Sequence, residues 1–241
     1  MELTREGLEE TTIIFNHVPK VGGTSLIYLF HEIFGPERCF RHANRDHHTG
    51  EISPRITKIP RDELLSYRFL AGHFEFGNHR LFDRPVLYIG VVRDPLERLI
   101  SDYYYSKKQG KLELREAANR LSLDEYVALK LEDPKSRMVT STHCRFLAGA
   151  DTADEAIAVL DRWYLACCTS EQLDDLQRLL ARLYDRPDLA PRRLNITAAA
   201  KTETEISAPL LRRLEERFRE DNRLIAWIAE RFDRVYWPMD A

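Results

Sequence analysis

Long apolar segments are missing from this sequence. No uninterrupted apolar run reaches the roughly 18 residues that suggest a membrane-spanning helix. Residues 1–10 have neither the basic segment nor the apolar core of a secretory signal. These absences argue against a membrane span and predict a cytoplasmic protein, an expectation that fails if an anchor precedes residue 1.

Cysteine is also scarce, with 4 among 241 residues. The four residues form no C-x-x-C pair and no zinc-binding spacing, so reduced thiols are the simplest interpretation. They are Cys39, Cys144, Cys167 and Cys168.

Neither sign of charge is in large excess, since the formal net charge is −3 at pH 7. Nucleic-acid-binding domains are usually strongly basic, which argues against that class. An anionic substrate therefore requires a local basic patch, and residues 35–60 carry more basic than acidic side chains. Histidines in this segment match no common metal-ligand spacing. We expect an irregular solvated loop here, or a locally basic flap that faces an anionic acceptor.

What the sequence does contain is a strand, a glycine turn and a helix within residues 11–30. Residues 11–18 are largely β-branched and apolar without a helical period, which predicts a buried strand. Gly22 and Gly23 then allow positive φ angles and a close approach of the backbone to a ligand. Lys20 adds a positive charge beside the N–H groups that begin the helix. Such a helix N-terminus favours phosphate or sulfate, and the alternative interpretation is a plain tight turn.

The residues after the glycines complete this segment. Thr24 and Ser25 are predicted to cap the helix. The loop does not match the G-x-x-x-x-G-K-[ST] order of common nucleotide sites, because its lysine precedes the glycines.

Further apolar segments are predicted as strands, and helical segments separate them. This alternation produces βαβ units and a parallel sheet in an α/β protein. The predicted later strands are 69–72, 85–92 and 163–168. The predicted helices include 61–66, 96–109, 171–184, 208–218 and 221–232. A length of 241 residues fits a single domain, 1–241.

Several chemically useful residues directly follow the predicted strands. Ligands of open parallel sheets bind beyond the carboxyl ends of the strands. The residues at those ends are Lys20, Gly22, Gly23, His73 and Arg93. We therefore expect them to share one edge of the sheet.

Residues 91–105 form the most specific stretch of the sequence. The planar guanidinium of Arg93 suits phosphate oxygens, and Ser101, two helical turns later, can complete a phosphate cradle. The alternatives are a salt bridge to Asp94 or a helix-end cap for Arg93, and an ordinary helical serine for Ser101. The tyrosines at 103–105 are predicted to pack in the core and at its rim.

Three segments of the chain resemble carbohydrate sulfotransferases, in particular the heparan sulfate 2-O-sulfotransferase type and its bacterial relatives. They are P-K-V-G-G-T-S at 19–25, G-H-F at 72–74 and R-D-P-L-E-R-L-I-S-D-Y-Y-Y at 93–105. The resemblance is firm over residues 12–110 and looser beyond. It implies a P-loop-like three-layer fold, with a central parallel sheet flanked by helices and a helical C-terminal half.

The resemblance also implies an activity. Such enzymes transfer the sulfuryl group of 3′-phosphoadenosine-5′-phosphosulfate (PAPS) to a hydroxyl group and use no metal. Their first segment holds the 5′-phosphosulfate, which here means Lys20, Gly22, Gly23, Thr24 and Ser25. Their third segment holds the 3′-phosphate through Arg93 and Ser101, and the histidine after glycine, His73, is the base.

Other residues compete with His73 for the role of base. Glu75, two residues later, either orients the imidazole or replaces it. His79 is a further candidate. His17 is placed within the first predicted strand, which is more typical of a packed histidine.

Two positions depart from the family pattern. Val21 stands where threonine or serine is frequent, which removes one possible hydrogen bond to the donor. Ala71 stands where the 2-O-sulfotransferases carry a second histidine, which weakens any inference about their acceptor. A glycan hydroxyl is favoured, while lipids, small alcohols and tyrosyl peptides stay open.

Two rival functions stay open as well. One is a kinase-like phosphoryl-transfer enzyme, against which the order of the loop and the lack of a clear magnesium carboxylate argue. The other is a non-catalytic nucleotide-binding module, against which the presence of His73 argues.

Overall fold

The fold is taken from a computed structural model of the chain. It describes residues 5–42, 56–109, 112–133, 136, 139, 142–194 and 206–231. Residues 43–55 of the basic segment predicted at 35–60 lie outside these ranges, as does the end of the chain from 232.

Five parallel strands form one sheet. They are β1 (Thr12–Asn16), β2 (Cys39–His42), β3 (Phe69–Gly72), β4 (Val86–Val92) and β5 (Tyr164–Thr169), in the spatial order β2-β3-β1-β4-β5. Every residue of β1, β3, β4 and β5 is buried, as expected for parallel strands covered on both faces. The predicted parallel α/β sheet is confirmed.

Ten α-helices are present among the described residues. They are α1 (Arg5–Glu10), α2 (Thr24–Phe34), α3 (Arg61–Ser66), α4 (Pro95–Gln109), α5 (Leu112–Arg120), α6 (Leu123–Glu132), α7 (Thr142–Ala148), α8 (Ala153–Trp163), α9 (Leu173–Leu183) and α10 (Ala208–Arg231). Helices α2 and α9 pack on each other and on the sheet, while α7, α8 and α10 form a second packed group. None of the helices in the described part of the chain is long and apolar enough to cross a membrane.

Local sequence signals explain several helix starts. The Asp94 carboxylate accepts a hydrogen bond from the Glu97 N–H at 2.8 Å, and Pro95 occupies the first position of α4. Ser122 and Glu125 form both halves of a capping box at α6. Residues at the start of α4 and α6 therefore provide the caps that their sequences favour.

The sequence prediction was wrong at two elements. Strand β2 lies in the segment predicted as irregular, because a four-residue edge strand with only one buried side chain leaves almost no periodic signal. Helix α10 is continuous where two helices were predicted, since neither glycine nor proline occurs after Pro209, which lies in its first turn.

The C-terminal helix also supports a second core. Buried side chains from α4, α6 and α10 meet away from the sheet, among them Tyr103, Tyr126 and Phe218. This packing fixes α4, and therefore the position of Arg93 at its start, against the C-terminal part of the chain.

Candidate functional site

The carboxyl ends of three adjacent strands bring the predicted site residues together. Strand β1 lies between β3 and β4, and Asn16 at the end of β1 pairs with Gly72 at the end of β3. The chain then continues into His17 and Lys20 from β1, His73 from β3 and Arg93 from β4. The shared edge predicted from the sequence is therefore present.

The turn after β1 has a backbone that depends on glycine. Gly22 has φ of 84°, and Lys20 has φ of 70°, which is uncommon for a residue with a side chain. A Cβ at Gly23 would lie 2.7 Å from Phe15 Cε1 and 2.9 Å from His17 Cδ2. The turn thus packs directly on the end of the strand, with no room for a side chain at Gly23.

The start of α2 differs from the prediction. Gly23 is the N-cap residue and no side chain caps the helix, so the predicted cap by Thr24 and Ser25 is wrong. The buried Ser25 hydroxyl instead accepts a hydrogen bond from the Leu194 N–H at 3.1 Å. The first N–H groups of a helix have no partner within it, and here they lie beside the turn. This is the arrangement that binds an anion.

Lys20 reaches across the site toward α4. Its Nζ lies 3.6 Å from the centre of the Tyr105 ring. Burial lowers the pKa of Lys20 to about 8; Asp102 opposes this shift and Arg93 adds to it. Tyr105 was predicted only to pack, yet it is 42% exposed and holds the lysine. The run of three tyrosines gave no signal that set this one apart.

Arg93 connects the turn with α4. Its Nη1 donates to the Lys20 carbonyl oxygen at 3.3 Å, and its Nε and Nη2 donate to Glu97 Oε2 at 3.3 and 3.2 Å. A salt bridge to Asp94 was one of the alternatives for Arg93; the guanidinium instead pairs with Glu97, and Asp94 caps the helix. Ser101 lies on the same helix and is partly buried; no hydrogen bond joins it to Arg93 among the described residues.

His73 is oriented by the strand beside it. Its Nδ1 lies 2.6 Å from the carbonyl oxygen of His17. A carbonyl oxygen only accepts, so Nδ1 carries the proton, and in the neutral ring Nε2 holds the free lone pair. Glu75 is exposed two residues later, and its carbonyl oxygen accepts from Asn78 Nδ2 at 3.0 Å. The His73 imidazole is thus oriented by the backbone carbonyl group of His17.

Desolvation and positive charge act on His73 together. Desolvation lowers its pKa from 6.5, the hydrogen bond to His17 opposes this, and His42, Arg41 and Lys20 add to the lowering. The ring is exposed to solvent on one side and lies 4.8 Å from the His17 ring, centre to centre. His73 is therefore neutral near pH 7 and able to accept a proton.

The other two histidine candidates are packed. His17 follows β1 directly, and its ring stacks on Phe15 at 4.9 Å. The His79 ring stacks on Trp163 at 4.1 Å, and its Nδ1 lies 3.0 Å from the Tyr88 hydroxyl.

Strand β2 brings two residues of the predicted basic segment beside His73, where the sequence had indicated an irregular loop or flap. His42 pairs with Gly72 in the sheet, and Arg41 precedes it. Both are close enough to His73 to contribute to the lowering of its pKa, after the larger effect of desolvation. The positive charge of Arg41 therefore comes from β2, which lies on the far side of β3 from β1. Across the described ranges, no group of three or more His, Cys, Asp or Glu side chains forms a metal site.

Comparison with known proteins finds similar sequences among the sulfotransferases. The chain is 25% identical over 202 residues to a heparin sulfate O-sulfotransferase of Drosophila melanogaster, covering 73% of this chain and 58% of that protein. It is 25% identical over 200 residues to heparan sulfate 2-O-sulfotransferase 1 of Mus musculus, covering 74% of this chain and 56% of that protein. The matches thus span little more than half the length of these relatives.

A solved structure shows a similar fold. It is a sulfotransferase from Alicyclobacillus acidocaldarius, with a TM-score of 0.50 and 15% sequence identity, covering 93% of this chain and 99% of that one. The P-loop-like arrangement of a parallel sheet flanked by helices is thereby confirmed. The model of the sulfotransferase family matches residues 8–225, and the chain belongs to that family.

Proposed function

We propose that this protein transfers a sulfuryl group from PAPS to a hydroxyl group of a carbohydrate. The observation that carries the proposal is the meeting of the glycine turn, Lys20, Arg93 and His73 at one edge of the sheet. Membership of the sulfotransferase family supports it. PAPS, when bound, supplies an activated sulfuryl group on a phosphate leaving group.

The turn after β1 fits the 5′-phosphosulfate. Gly22 and Gly23 keep the backbone free of side chains, and the N–H groups that begin α2, from Gly23 through Ser25, can donate to its oxygens. The Thr24 hydroxyl is a further donor at this position. Lys20 adds a positive charge, and because it stays partly desolvated, that charge acts strongly on a nearby oxygen.

Arg93 and Ser101 are proposed to hold the 3′-phosphate. The Arg93 fork is engaged with Glu97, whose side chain is 57% exposed. Exposed ion pairs contribute only about 0–1 kcal/mol, so a phosphate can displace this carboxylate. The fork then binds two phosphate oxygens in the plane of the guanidinium.

His73 is proposed to be the general base. With Nδ1 fixed on the His17 carbonyl, Nε2 is free to accept the proton of the acceptor hydroxyl. Lys20 is proposed to stabilise the negative charge that develops on the bridging oxygen as the nucleotide leaves. Neither role requires a metal ion.

The first test measures recognition of the 3′-phosphate. The wild type is expected to bind 3′-phosphoadenosine 5′-phosphate far more tightly than AMP, and Arg93→Ala to lose most of that difference. Loss of a hydrogen bond to a charged group costs about 1.5–3 kcal/mol, or a factor of roughly 10 to 150. Calorimetry with both nucleotides measures the ratio. In the matched variant Glu97→Gln, the competing carboxylate is gone and the ratio should hold or rise. Equal affinities in the wild type would contradict the proposal.

The acceptor is proposed to be a glycan that carries carboxylate or sulfate groups. Two features support an anionic acceptor: Arg41 and His42 lie beside His73, and the relatives are named for heparan sulfate and heparin. Opposite charges across a binding site favour association with the right partner.

An acceptor screen with labelled PAPS tests this directly. Sulfate incorporation is expected into acidic glycans, with less into neutral glycans of the same backbone, and Arg41→Gln should reduce that preference. Equal labelling of acidic and neutral glycans, or labelling confined to lipids or phenols, would overturn the acceptor class while leaving the transferase activity standing.

A further inference from the structure

A buried polar cluster lies where α4, α7 and α10 meet, behind the site. Its four side chains are at most 2% exposed, and the mechanism above uses none of them. They are Arg98, Thr142, His143 and Asp221. Burying this many polar groups is unfavourable unless each finds a partner, so their contacts indicate their purpose.

Asp221 ties α10 to α7. Its Oδ1 accepts hydrogen bonds from the N–H groups of His143 and Cys144, at 3.0 and 3.2 Å. On the other side of the cluster, Arg98 Nη2 donates to the Thr142 hydroxyl at 3.0 Å. The start of α7, and with it His143, is therefore held in place from both neighbouring helices.

The His143 ring lies between Asp221 and the backbone of Arg93. Its Nε2 is 3.1 Å from the Arg93 nitrogen and 2.9 Å from the Arg93 carbonyl oxygen. Its Nδ1 is 3.8 Å from Asp221 Oδ2. Within the described part of the chain, neither Nδ1 nor Oδ2 has a hydrogen-bond partner, and 3.8 Å is too long for a hydrogen bond between them.

The proton on the ring has two possible positions. Burial lowers the pKa of His143 to about 4, with Asp221 opposing, so the ring is neutral and carries one N–H. A proton on Nε2 would donate to the Arg93 carbonyl oxygen at 2.9 Å, but it would leave the Nδ1 lone pair facing the Asp221 carboxylate at 3.8 Å and the Arg93 N–H without an acceptor. A proton on Nδ1 replaces that repulsion by an attraction to the carboxylate and frees Nε2 to accept from the Arg93 N–H at 3.1 Å. The buried carboxylate therefore favours the proton on Nδ1.

We propose that Asp221 and His143 position Arg93 for the 3′-phosphate by keeping the ring proton on Nδ1. The inference rests on the function proposed above. Asp221 selects the tautomer, His143 Nε2 accepts from the backbone of Arg93 at the end of β4, and the guanidinium is held at the phosphate. His143 and Asp221 are positioning residues, since neither reaches the substrate.

Two substitutions at His143 separate the two sides of the ring. The Gln amide reaches about as far as Nε2, so His143→Gln keeps a group beside the Arg93 backbone. The Asn amide reaches only to the position of Nδ1, so His143→Asn keeps the Asp221 side and loses Arg93. Both are polar and smaller than histidine, and thermal melting shows whether each folds.

The first experiment is calorimetry of these variants with 3′-phosphoadenosine 5′-phosphate and AMP. His143→Asn is expected to lower the preference for the 3′-phosphate by a factor of about 2 to 10, the value of one net hydrogen bond, while AMP affinity holds. His143→Gln should retain the preference. An unchanged preference in a folded His143→Asn, or equal losses for both nucleotides, would overturn the inference. A wild type without any preference would instead overturn the proposed function.

A second experiment reads the tautomer and needs no ligand. Nitrogen-15 NMR of the imidazoles should show the His143 proton on Nδ1 in the wild type. In Asp221→Asn, the amide can donate to Nδ1, and the proton should move to Nε2 with the same loss of 3′-phosphate preference. A proton found on Nε2 in the wild type would refute the proposed arrangement even if the nucleotide data agree.

Discussion

Replacing His73 with alanine is expected to lower kcat by about 10²–10⁴-fold, the usual contribution of a positioned acid–base group. The chain should still fold, because the ring is exposed on one side and its substitution leaves no large buried cavity. Binding of 3′-phosphoadenosine 5′-phosphate should also persist, since the residues proposed to bind the nucleotide follow β1 and β4 rather than β3. Steady-state kinetics and calorimetry on one preparation separate these quantities.

The pH dependence gives this prediction its second readout. Desolvation first, and then His42, Arg41 and Lys20, lower the pKa of His73 from 6.5. A lowered pKa means that the neutral, proton-accepting ring persists to lower pH, so kcat/KM should rise with pH through a midpoint below 6.5. His73→Ala should lose this limb of the profile.

A matched variant and a competing residue complete the test. His79→Gln removes a histidine that packs on Trp163 rather than facing the proposed chemistry, and should keep the acidic limb. If His73→Ala retained near-normal turnover, or if Glu75→Gln abolished turnover instead, the role of base would move to Glu75.

Replacing Lys20 with alanine is expected to lower kcat by about 10²–10³-fold, the typical loss when one charge-stabilising donor is removed. Nucleotide affinity should fall much less, since only an interaction that strengthens in the transition state raises the rate. A defect that saturating PAPS repairs completely would make Lys20 a simple phosphate ligand.

The pKa of Lys20 predicts a second limb in the pH profile. Burial lowers that pKa to about 8, so the wild-type lysine loses its charge as the pH rises through this value. We expect kcat/KM to fall above pH 8 for this reason. Lys20→Arg keeps its charge at higher pH and should move the fall upward, even if its absolute rate is lower.

Tyr105 provides the control for this limb. Tyr105→Phe keeps the ring that lies 3.6 Å from Lys20 Nζ and should leave the alkaline limb in place. Tyr105→Leu removes the cation–π contact and should raise KM or shift the limb. A limb that stays unchanged in Lys20→Arg would show that another group titrates there.

Sequence alone predicted most of the framework of the site. Strands β1, β3, β4 and β5 are short, buried and apolar, and a continuous apolar run bounded by turn residues is a strong local signal. The order of the segments then placed Lys20, His73 and Arg93 at one edge, because parallel strands end on the same side. That residues 1–241 form one domain stays a prediction, and so do the catalytic roles.

Contacts between distant parts of the chain could not be predicted in this way. Asp221 looks like the start of a second helix, yet it lies inside α10 and binds the backbone of α7, 78 residues away. Ser25 looks like a cap, yet it accepts from Leu194. Short polar side chains satisfy whichever N–H group lies nearest, and only packing decides which one that is.

The sequence by itself therefore determined four of the five strands, the glycine turn and the identity of the charged residues that follow these strands. Tertiary structure decided their setting: the carbonyl that orients His73, the ring that holds Lys20, and the edge strand that adds Arg41. The physical reason is the separation along the chain over which each effect acts. Strand and turn propensities act between neighbouring residues, whereas desolvation and orientation arise from groups that only folding brings together.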